Sequence, residues 1–239
     1  MKVNEKEISL EELARLRSIE FEKVEKLKYA LLKMVYRLNP EEVADVKRAI
    51  ELAERCHKDQ YRNDNITPYI SHPLNVGIRL AANCLDLEMI IAGILHDVRE
   101  DSKISKEELI EMFGERVAAL VEGMSKDSSE KFPDKSIRNA NNLLKKMKFV
   151  VERPEIIPIK KADVEHNTST LDGFDNRKKQ QENGEEAYDL RSPFAYLIGA
   201  KESAERIDGN SFKYMNPELY EKTKKIRDEK ILFNYKAAC

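Results

Sequence analysis

Tryptophan is absent from this 239-residue sequence, and glycine and proline occur only eight times each. So few turn-forming residues argue against an all-β chain, in which turns are frequent. Cysteine is also scarce: Cys56, Cys84 and Cys239 form an odd, widely spaced set without a CxxC pair. We therefore expect free thiols in a reducing compartment, the cytoplasm, rather than a disulfide framework.

The sequence also lacks an excess of one charge and a long apolar run. The 42 Lys and Arg residues nearly cancel the 44 Asp and Glu residues, which leaves a formal net charge of -2. A protein that coats nucleic acid is expected to be strongly basic, so this balance argues against a nucleic acid partner. The longest apolar run, Met89 to Leu95, has seven residues, and the first residues, MKVNEKEISLEE, are too charged for a secretory signal. We therefore expect no membrane partner.

What is present is mostly helical patterning. Hydrophobic residues make up 41% of the chain, which is enough for a sizeable core. Ser9 and Glu12 form a capping box, and apolar residues recur at helical spacing after them. Asp86 can cap a later helix, and Ser105 with Glu108 forms another capping box. No pair of strands is convincing, so the pattern predicts an all-α fold of about nine to eleven helices.

The boundaries of several segments can also be predicted. Gly114 is expected to end the short helix that begins near Ser105. The polar stretch DNRKKQQENGEE (175–186) is predicted to be a loop, and the charged tail after Pro217 to be a surface helix.

Acidic residues gather where the apolar run ends. His96 and Asp97 follow it directly, and Glu100 and Asp101 come three and four residues after Asp97. A single histidine beside core residues is more often a structural side chain than a ligand. Three acids this close at the end of a buried helix repel one another, however, unless a cation or a basic group offsets them. A solvated helix end is the alternative, but the seven apolar residues just before it favour a buried helix, in which a cation or a basic group would offset these acids.

A second polar set lies on a predicted helix at 155–173. Asp163, His166, Asn167 and Thr170 stand at spacings of three, four and seven residues and share one face of that helix. Such a stripe is either an exposed face or the wall of a site, and taken alone it is more often exposed.

His72, ahead of Pro73 at a predicted loop-to-helix junction, completes a candidate ligand set with His96, Asp97 and Asp163. Two histidines and two carboxylates suit a divalent ion such as Mn²⁺, Fe²⁺ or Zn²⁺ with open water positions. Such an ion lowers the pKa of bound water and neutralises a phosphoryl oxygen. The set therefore favours phosphoester hydrolysis.

These residues lie in motifs that resemble the HD-domain phosphohydrolases, and among them the hydrolase domain of the RelA/SpoT-type alarmone enzymes. The similar segments run in the family's order, and all four histidines of the chain fall inside them. They are AIELAERCHKDQYR (49–62), TPYISHPLNVG (67–77), IIAGILHDVREDS (90–102), FGERVAALVEGMSK (113–126), IKKADVEHNTSTL (159–171) and the late stretch 194–220.

The resemblance implies a fold and a metal site. The fold would be an HD-domain orthogonal helical bundle at 47–239, with residues 1–46 as an N-terminal helical extension packed on its core. The metal, usually Mn²⁺ in this family, would be one ion held by His72, His96, Asp97 and Asp163.

The resemblance also implies roles around that ion. Glu100 and Asp101 would be the catalytic acids near the attacking water. Arg62 would approach the guanine base, Lys161 would face the anionic substrate, and Asn167 and Thr170 would lie against the sugar or phosphates. The other basic residues in or beside the motifs, Lys126 and Lys160, are interpreted as ordinary surface charges.

The implied reaction is removal of pyrophosphate from the 3′ position of ppGpp or pppGpp, the alarmones of the stringent response, to give GDP or GTP. The substrate would be a small nucleotide, and neither a nucleic acid nor a membrane is required. Homo-oligomerisation is left open. Because the chain ends at Cys239, just after the last motif, we expect hydrolase activity without a synthetase domain.

Several residues depart from the family pattern and keep alternatives open. Arg99, Glu165, Ser169 and Lys161 stand where other residue types are usual, and the loop before TPYISHP resembles that of the stand-alone small alarmone hydrolases. These changes spare the implied metal and catalytic positions but alter the rim of the pocket. An HD phosphohydrolase for another nucleotide, such as an adenine alarmone or NADPH, is one alternative. A non-catalytic module that binds a nucleotide or a partner is another.

Overall fold

A computed structural model describes residues 2–3, 6–83, 86–102, 104–125, 134–174, 176–197 and 199–238. These residues are almost entirely helical, which confirms the predicted all-α class. They form two compact units, Met1–His166 and Asn167–Cys239. The predicted division between residues 46 and 47 stays a prediction.

The first unit contains most of the helices. A 3₁₀ turn, Pro40–Glu42, separates the first two of them. The α-helices are α1 (Leu10–Leu38), α2 (Val43–Cys56), α3 (Ser71–Asn83), α4 (Leu87–Ile94), α5 (Val98–Asp101), α6 (Lys106–Met124), α7 (Lys135–Glu152) and α8 (Ile156–Ser169), whose last residues belong to the second unit.

Among the described residues of the second unit, four α-helices follow, α9 (Arg177–Glu186), α10 (Ser192–Leu197), α11 (Lys201–Met215) and α12 (Pro217–Ala238), with a 3₁₀ turn at Leu171–Gly173 and a π-helical turn at Ala187–Arg191. The described residues contain twelve α-helices, one of which, α5, is a single turn. The other eleven agree with the prediction of about nine to eleven helices. The surface helix expected after Pro217 is present as α12. The loop predicted at 175–186 is wrong, because α9 occupies most of it and Asn176 caps its N-terminus. Its composition is polar, but Lys, Gln and Glu are good helix formers.

A second correction concerns strands, although the all-α class holds. Lys2–Val3 and Lys6–Glu7 form a small antiparallel pair, β1 and β2, in which Lys2 stands opposite Glu7. Each strand has only two residues, which is too short for an alternation of apolar and polar residues to be recognised in the sequence.

The core of the first unit is apolar, and α1 belongs to it. Val24, Leu31 and Val35 of α1 are buried in the same cluster as residues of α3, α4 and α6. Within this cluster, Leu74 of α3 and Leu95, just after α4, are fully buried. No helix among the described segments is both long and apolar enough to cross a membrane.

Two glycines let α3 and α4 approach closely. A Cβ atom at Gly93 of α4 would lie 2.2 Å from Cδ1 of Leu80, and one at Gly77 of α3 would lie 2.9 Å from Cγ1 of Ile94. A larger residue at either position would push the two helices apart. This contact matters because His72 lies at the start of α3 and His96 lies just beyond the end of α4.

Candidate metal centre and its surroundings

His72 is held at the first turn of α3. Its backbone N–H donates to the carbonyl of Tyr69 at 2.9 Å, and Pro73 follows it in the first turn, where proline is tolerated. The side chain is almost completely buried at 1% exposure. The predicted loop-to-helix junction is confirmed, and the imidazole points into the protein.

His96 and Asp97 follow α4, whose N-terminus is capped by Asp86 as the sequence predicts. The apolar residues of α4 are buried in the core, so the residues that follow its C-terminal end also lie inside the protein. His96 is 2% exposed, and its Nδ1–H donates to the carbonyl of Gly93 at 2.7 Å. Since a carbonyl can only accept, this bond fixes the proton on Nδ1 and directs Nε2 away from the helix.

Asp163 lies on α8, and its polar face is not exposed. Asp163 is 6% exposed and His166 is 8% exposed, so the preference for an exposed stripe is wrong for these two residues. The interpretation of Lys160 as a surface charge is also wrong. Its Nζ lies 2.6 Å from Oδ2 of Asp163, and its side chain is mostly buried.

The four predicted ligands meet at one place. Nε2 of His72 lies 3.2 Å from Nε2 of His96 and 3.4 Å from Oδ1 of Asp163. Oδ2 of Asp97 lies 3.1 Å from Nε2 of His96 and 3.6 Å from Nε2 of His72. Each of the two carboxylates thus lies within 3.7 Å of both imidazoles, although His72 and Asp163 are 91 positions apart in sequence.

This donor set fits a divalent metal ion. One ligand atom each from His72, His96 and Asp163 lies within 4.8 Å of the others, and all three residues are buried. Ligands about 2.1 Å from a common ion stand about 3.0 to 3.4 Å apart in octahedral or tetrahedral arrangements. The separations of 3.1 to 3.7 Å between the histidine nitrogens and the carboxylate oxygens are close to that spacing.

Even without a metal ion, the charged side chains of the cluster offset one another. Burial disfavours a charged His96, but Asp97 and Asp163 outweigh it and raise the pKa of His96 to about 10. Burial also opposes the charge of Asp163, yet Lys160 and the two histidines keep the pKa of that carboxyl well below its ordinary value. Burial lowers the pKa of His72, so this imidazole is neutral. Two carboxylates therefore face two cations, His96 and Lys160.

His166 supports His72 from behind. The two Nδ1 atoms lie 2.8 Å apart, and burial lowers the pKa of His166 to about 3, so that residue is neutral. If His72 offers Nε2 as a ligand, its Nδ1 carries the proton and donates to Nδ1 of His166. A partner of this kind fixes the tautomer and the ring orientation of a ligating histidine. The sequence carried a signal for it, since His166 stands three residues after Asp163.

Tyr69 supports Asp97 in the same way. Its hydroxyl donates to Oδ2 of Asp97 at 2.7 Å, and the ring of His57 packs against its ring with centroids 4.7 Å apart. Sequence reasoning missed Tyr69 because its partner is 28 positions away. The guanidinium of Arg62 lies over the same ring, with Cζ 5.5 Å from the centroid. Arg62 is therefore close to the cluster without being part of it.

The two predicted catalytic acids lie on α5. Its single turn follows Asp97 directly, and Glu100 N–H donates to the carbonyl of Asp97 at 3.0 Å. Glu100 is exposed. The side chain of Asp101 lies outside the part of the chain that the structure describes. On the same turn, Arg99 pairs with Glu122 of α6, which ties this turn to a long helix.

The remaining predicted residues lie on or just after α8. Lys161 is half-buried, but it is its neighbour Lys160 that contacts Asp163. Asn167 and Thr170 belong to the second unit, where the Thr170 hydroxyl donates to the Asn167 carbonyl at 3.3 Å. Of the cysteines, Cys56 is free, as expected. Lys126, Cys84 and Cys239 fall outside the described residues.

The chain is similar to known proteins over most of its length. A family model described as HD domain matches residues 49–200, and this range contains the whole cluster. A guanosine-3′,5′-bis(diphosphate) 3′-pyrophosphohydrolase of Aquifex aeolicus is 36% identical over 190 residues, which are 80% of this chain and 27% of the relative. The bifunctional (p)ppGpp synthase/hydrolase SpoT of Escherichia coli is 33% identical over 79% of this chain and 27% of its own length. The chain thus spans less than a third of these relatives.

A solved structure has the same fold. It is described as a metazoan ortholog of SpoT that hydrolyses ppGpp and plays a role in starvation responses. The match has a TM-score of 0.51 at 22% identity and covers 78% of this chain and 96% of that one. Together with the family match over residues 49–200, these findings show that the chain belongs to the HD domain family.

Proposed function

We propose that this protein hydrolyses ppGpp and pppGpp at the 3′ position and releases pyrophosphate together with GDP or GTP. The observation that carries the proposal is the meeting of His72, His96, Asp97 and Asp163 in a chain that is 36% identical to a named 3′-pyrophosphohydrolase. One water is consumed: its oxygen bonds to the phosphorus attached at the 3′ oxygen, the P–O3′ bond breaks, and O3′ takes a proton.

The same four residues would hold one divalent ion, proposed to be Mn²⁺. When bound, the ion would lower the pKa of water and neutralise phosphoryl oxygens. The protein's own contribution is orientation. The carbonyl of Gly93 fixes His96, the ring of His166 fixes His72, the hydroxyl of Tyr69 holds Asp97, and the ammonium of Lys160 holds Asp163. Such partners keep ligating atoms in place.

Glu100 and Asp101 are proposed as the acids that exchange protons with the attacking water and with O3′. Support for Glu100 comes from its exposure on α5 one turn after Asp97, where a carboxylate reaches solvent beside the cluster. A group in that setting can accept and donate protons during the reaction.

Basic and polar side chains are proposed to bind the nucleotide. Arg62 would stack on the base or pair with phosphate, as a guanidinium can do both. Lys161 would offset phosphate charge, and Asn167 and Thr170 would contact the sugar or phosphates. Support for Arg62 comes from its position over the ring of Tyr69, which itself contacts Asp97.

The deciding experiment is product analysis with purified protein and Mn²⁺ across ppGpp, ppApp, GTP and NADPH. Release of pyrophosphate and GDP from ppGpp supports the proposal. If only ppApp or NADPH is hydrolysed, the proposed substrate is wrong but the reaction class is right. If none of the four compounds is hydrolysed, a non-catalytic module is favoured. The same assay repeated with Mg²⁺ and Zn²⁺ tests the identity of the ion.

The remaining expectations belong to this proposal as well. They are a core at 47–239 with an N-terminal extension at 1–46, a cytoplasmic location, and a small-molecule partner rather than a nucleic acid. Limited proteolysis and gel filtration with and without ppGpp test the domain boundary and the state of association.

A further inference from the structure

Arg62 stands on a short loop between α2 and α3 that is ordered by its own backbone. The N–H of Arg62 donates to the carbonyl of Thr67 at 2.7 Å, and the N–H of Asn65 donates back to the carbonyl of Arg62 at 2.9 Å. Asp64 accepts from the backbone N–H groups of Ile66 and Thr67, both at 2.8 Å. The loop is thus a compact turn, and the backbone of Arg62 is one of its closing points.

Two residues of this loop, Asp59 and Asn65, have a backbone conformation in the left-handed region, and the one at Asn65 lies close to Arg62. Asn65 has a φ of 59°, in the left-handed region, where a non-glycine residue is uncommon. Asparagine tolerates this region better than most residues, but the conformation still persists only where its surroundings favour it.

Arg17 of α1 stabilises this conformation of Asn65. Its Nε and Nη2 both donate to the carbonyl oxygen of Asn65, at 3.2 Å and 2.9 Å. The same guanidinium lies over the ring of Tyr61, with Cζ 3.7 Å from the centroid. Arg17 therefore holds the loop at two points, one on each side of Arg62 in sequence. These contacts join residues 44 and 48 positions apart, so no local motif predicts them.

We propose that Arg17 is a positioning residue for Arg62, and that α1 thereby shapes the nucleotide-binding side of the site. The inference rests on the proposed function only in that Arg62 binds the nucleotide. Hydrogen bonds from a charged guanidinium to a carbonyl are stronger than those from a neutral donor. The contact with the ring of Tyr61 also helps to hold the guanidinium of Arg17 in place. Without Arg17 the carbonyl of Asn65 loses both donors, and the loop that presents Arg62 gains alternative conformations.

The first measurement is hydrogen–deuterium exchange of peptides covering residues 60–70 in the Arg17→Ala variant. The amides of Arg62, Asn65, Ile66 and Thr67 should exchange about ten-fold faster than in the wild-type protein, because loss of a charge-assisted bond favours local opening. The matched control is Arg15→Ala. Arg15 lies on the same helix but is exposed and pairs with Glu12.

The second measurement is steady-state hydrolysis of ppGpp by single and double variants. Arg17→Ala should raise KM about 3- to 10-fold and change kcat less than about two-fold, since the loss affects binding rather than the chemical step. The double variant with Arg62→Ala should have the KM of Arg62→Ala alone, because two residues that act through one contact are not additive. Arg17→Lys should restore KM only in part, as lysine cannot donate two aligned bonds.

The outcomes separate this inference from the proposed function. Unchanged exchange at residues 60–70 in Arg17→Ala overturns the positioning role, whether or not the protein hydrolyses ppGpp. Faster exchange with an unchanged KM, or KM effects of Arg17→Ala and Arg62→Ala that multiply in the double variant, overturns the link to Arg62. Absence of turnover in the wild-type protein contradicts the proposed function alone, and exchange still decides the role of Arg17.

Discussion

Nζ of Lys160 lies 2.6 Å from Oδ2 of Asp163, while Oδ1 of the same carboxylate lies 3.4 Å from Nε2 of His72. The two oxygens of one side chain thus face different partners. One is neutralised by a lysine on the same helix, and the other is directed at the imidazoles. The lysine thereby fixes the orientation of a buried acid that is proposed to bind metal.

Replacing this lysine should destabilise the metal-free protein. In Lys160→Met the carboxylate of Asp163 stays buried but loses its charged donor, so we expect the free energy of unfolding to fall by about 2 kcal/mol. Urea denaturation in the presence of EDTA measures the change. Lys161→Met is the control, because it removes the same charge from the adjacent position. Equal stabilities of the two variants would contradict the importance of the Lys160–Asp163 contact.

Asp97 should be required for metal binding and for turnover together. Its Oδ2 lies within 3.1 Å of His96 and accepts from Tyr69, so Asp97→Ala removes a proposed ligand and leaves the tyrosine hydroxyl without this acceptor. We expect Mn²⁺ affinity to fall at least about 10-fold and ppGpp hydrolysis to be lost. Calorimetric titration with Mn²⁺ and a product assay check both. Asp45→Ala, at a half-exposed site on α2 that pairs with Arg48, is the control. Retained turnover in metal-depleted buffer would show that the metal assignment is wrong.

Glu100 should separate chemistry from metal binding. Glu100→Gln keeps the size of the side chain but cannot exchange a proton, so kcat should fall at least about 100-fold. Mn²⁺ affinity should stay within about two-fold, since Glu100 is not among the proposed ligands. Glu107→Gln, at an exposed position in the first turn of α6, is the matched control. A wild-type rate in Glu100→Gln would remove its catalytic role.

Local signals in the sequence predicted the helices well. Ser105 and Glu108 form the capping box at the start of α6, and Asp86 caps α4. Gly114 has a φ of 87° inside α6, where it interrupts the helix as expected. Each of these signals depends on residues within four positions, and neighbouring backbone atoms decide the outcome. Such features are therefore readable without knowledge of the fold.

The support of the site could not be read in the same way. The pairing of Tyr69 with Asp97 and of His72 with His166 depends on how α3, α4 and α8 pack, which periodicity does not specify. Lys160 is an exception, because it stands three residues before Asp163 on one helix and is a neighbour by spacing alone. Composition alone gives the wrong result for Lys160, because a charged residue is usually exposed. It also gives the wrong result at 175–186, because a polar stretch is often a loop.

Arg116 joins the start of α4 to α6. Its guanidinium contacts both carboxylate oxygens of Asp86, at 3.0 Å and 2.7 Å, and also reaches Glu88 at 2.7 Å. Asp86 at the same time accepts from the N–H of Met89 as the N-cap of α4. The bond from Arg116, followed by the cap, lowers the pKa of Asp86 below its ordinary value. Because α4 ends just before the candidate ligands His96 and Asp97, this contact supports the helix that presents His96.

The stabilisation by Arg116 should depend on pH with a definite sign. A carboxyl whose pKa is lower in the folded state stabilises the protein above its unfolded pKa of about 3.9, and this contribution is lost as the pH falls through the folded value. Arg116→Met should therefore cost about 1 kcal/mol at pH 7, a modest figure because the pair is partly exposed, and the difference from wild type should shrink below about pH 4. Urea denaturation at pH 7, 5 and 3.5 measures this difference. Lys47→Met, which removes an exposed lysine near Glu51, should show little difference at any pH. A wild-type advantage over Arg116→Met that is as large at pH 3.5 as at pH 7 would mean that packing of the arginine stem, rather than its charge, holds α4 in place.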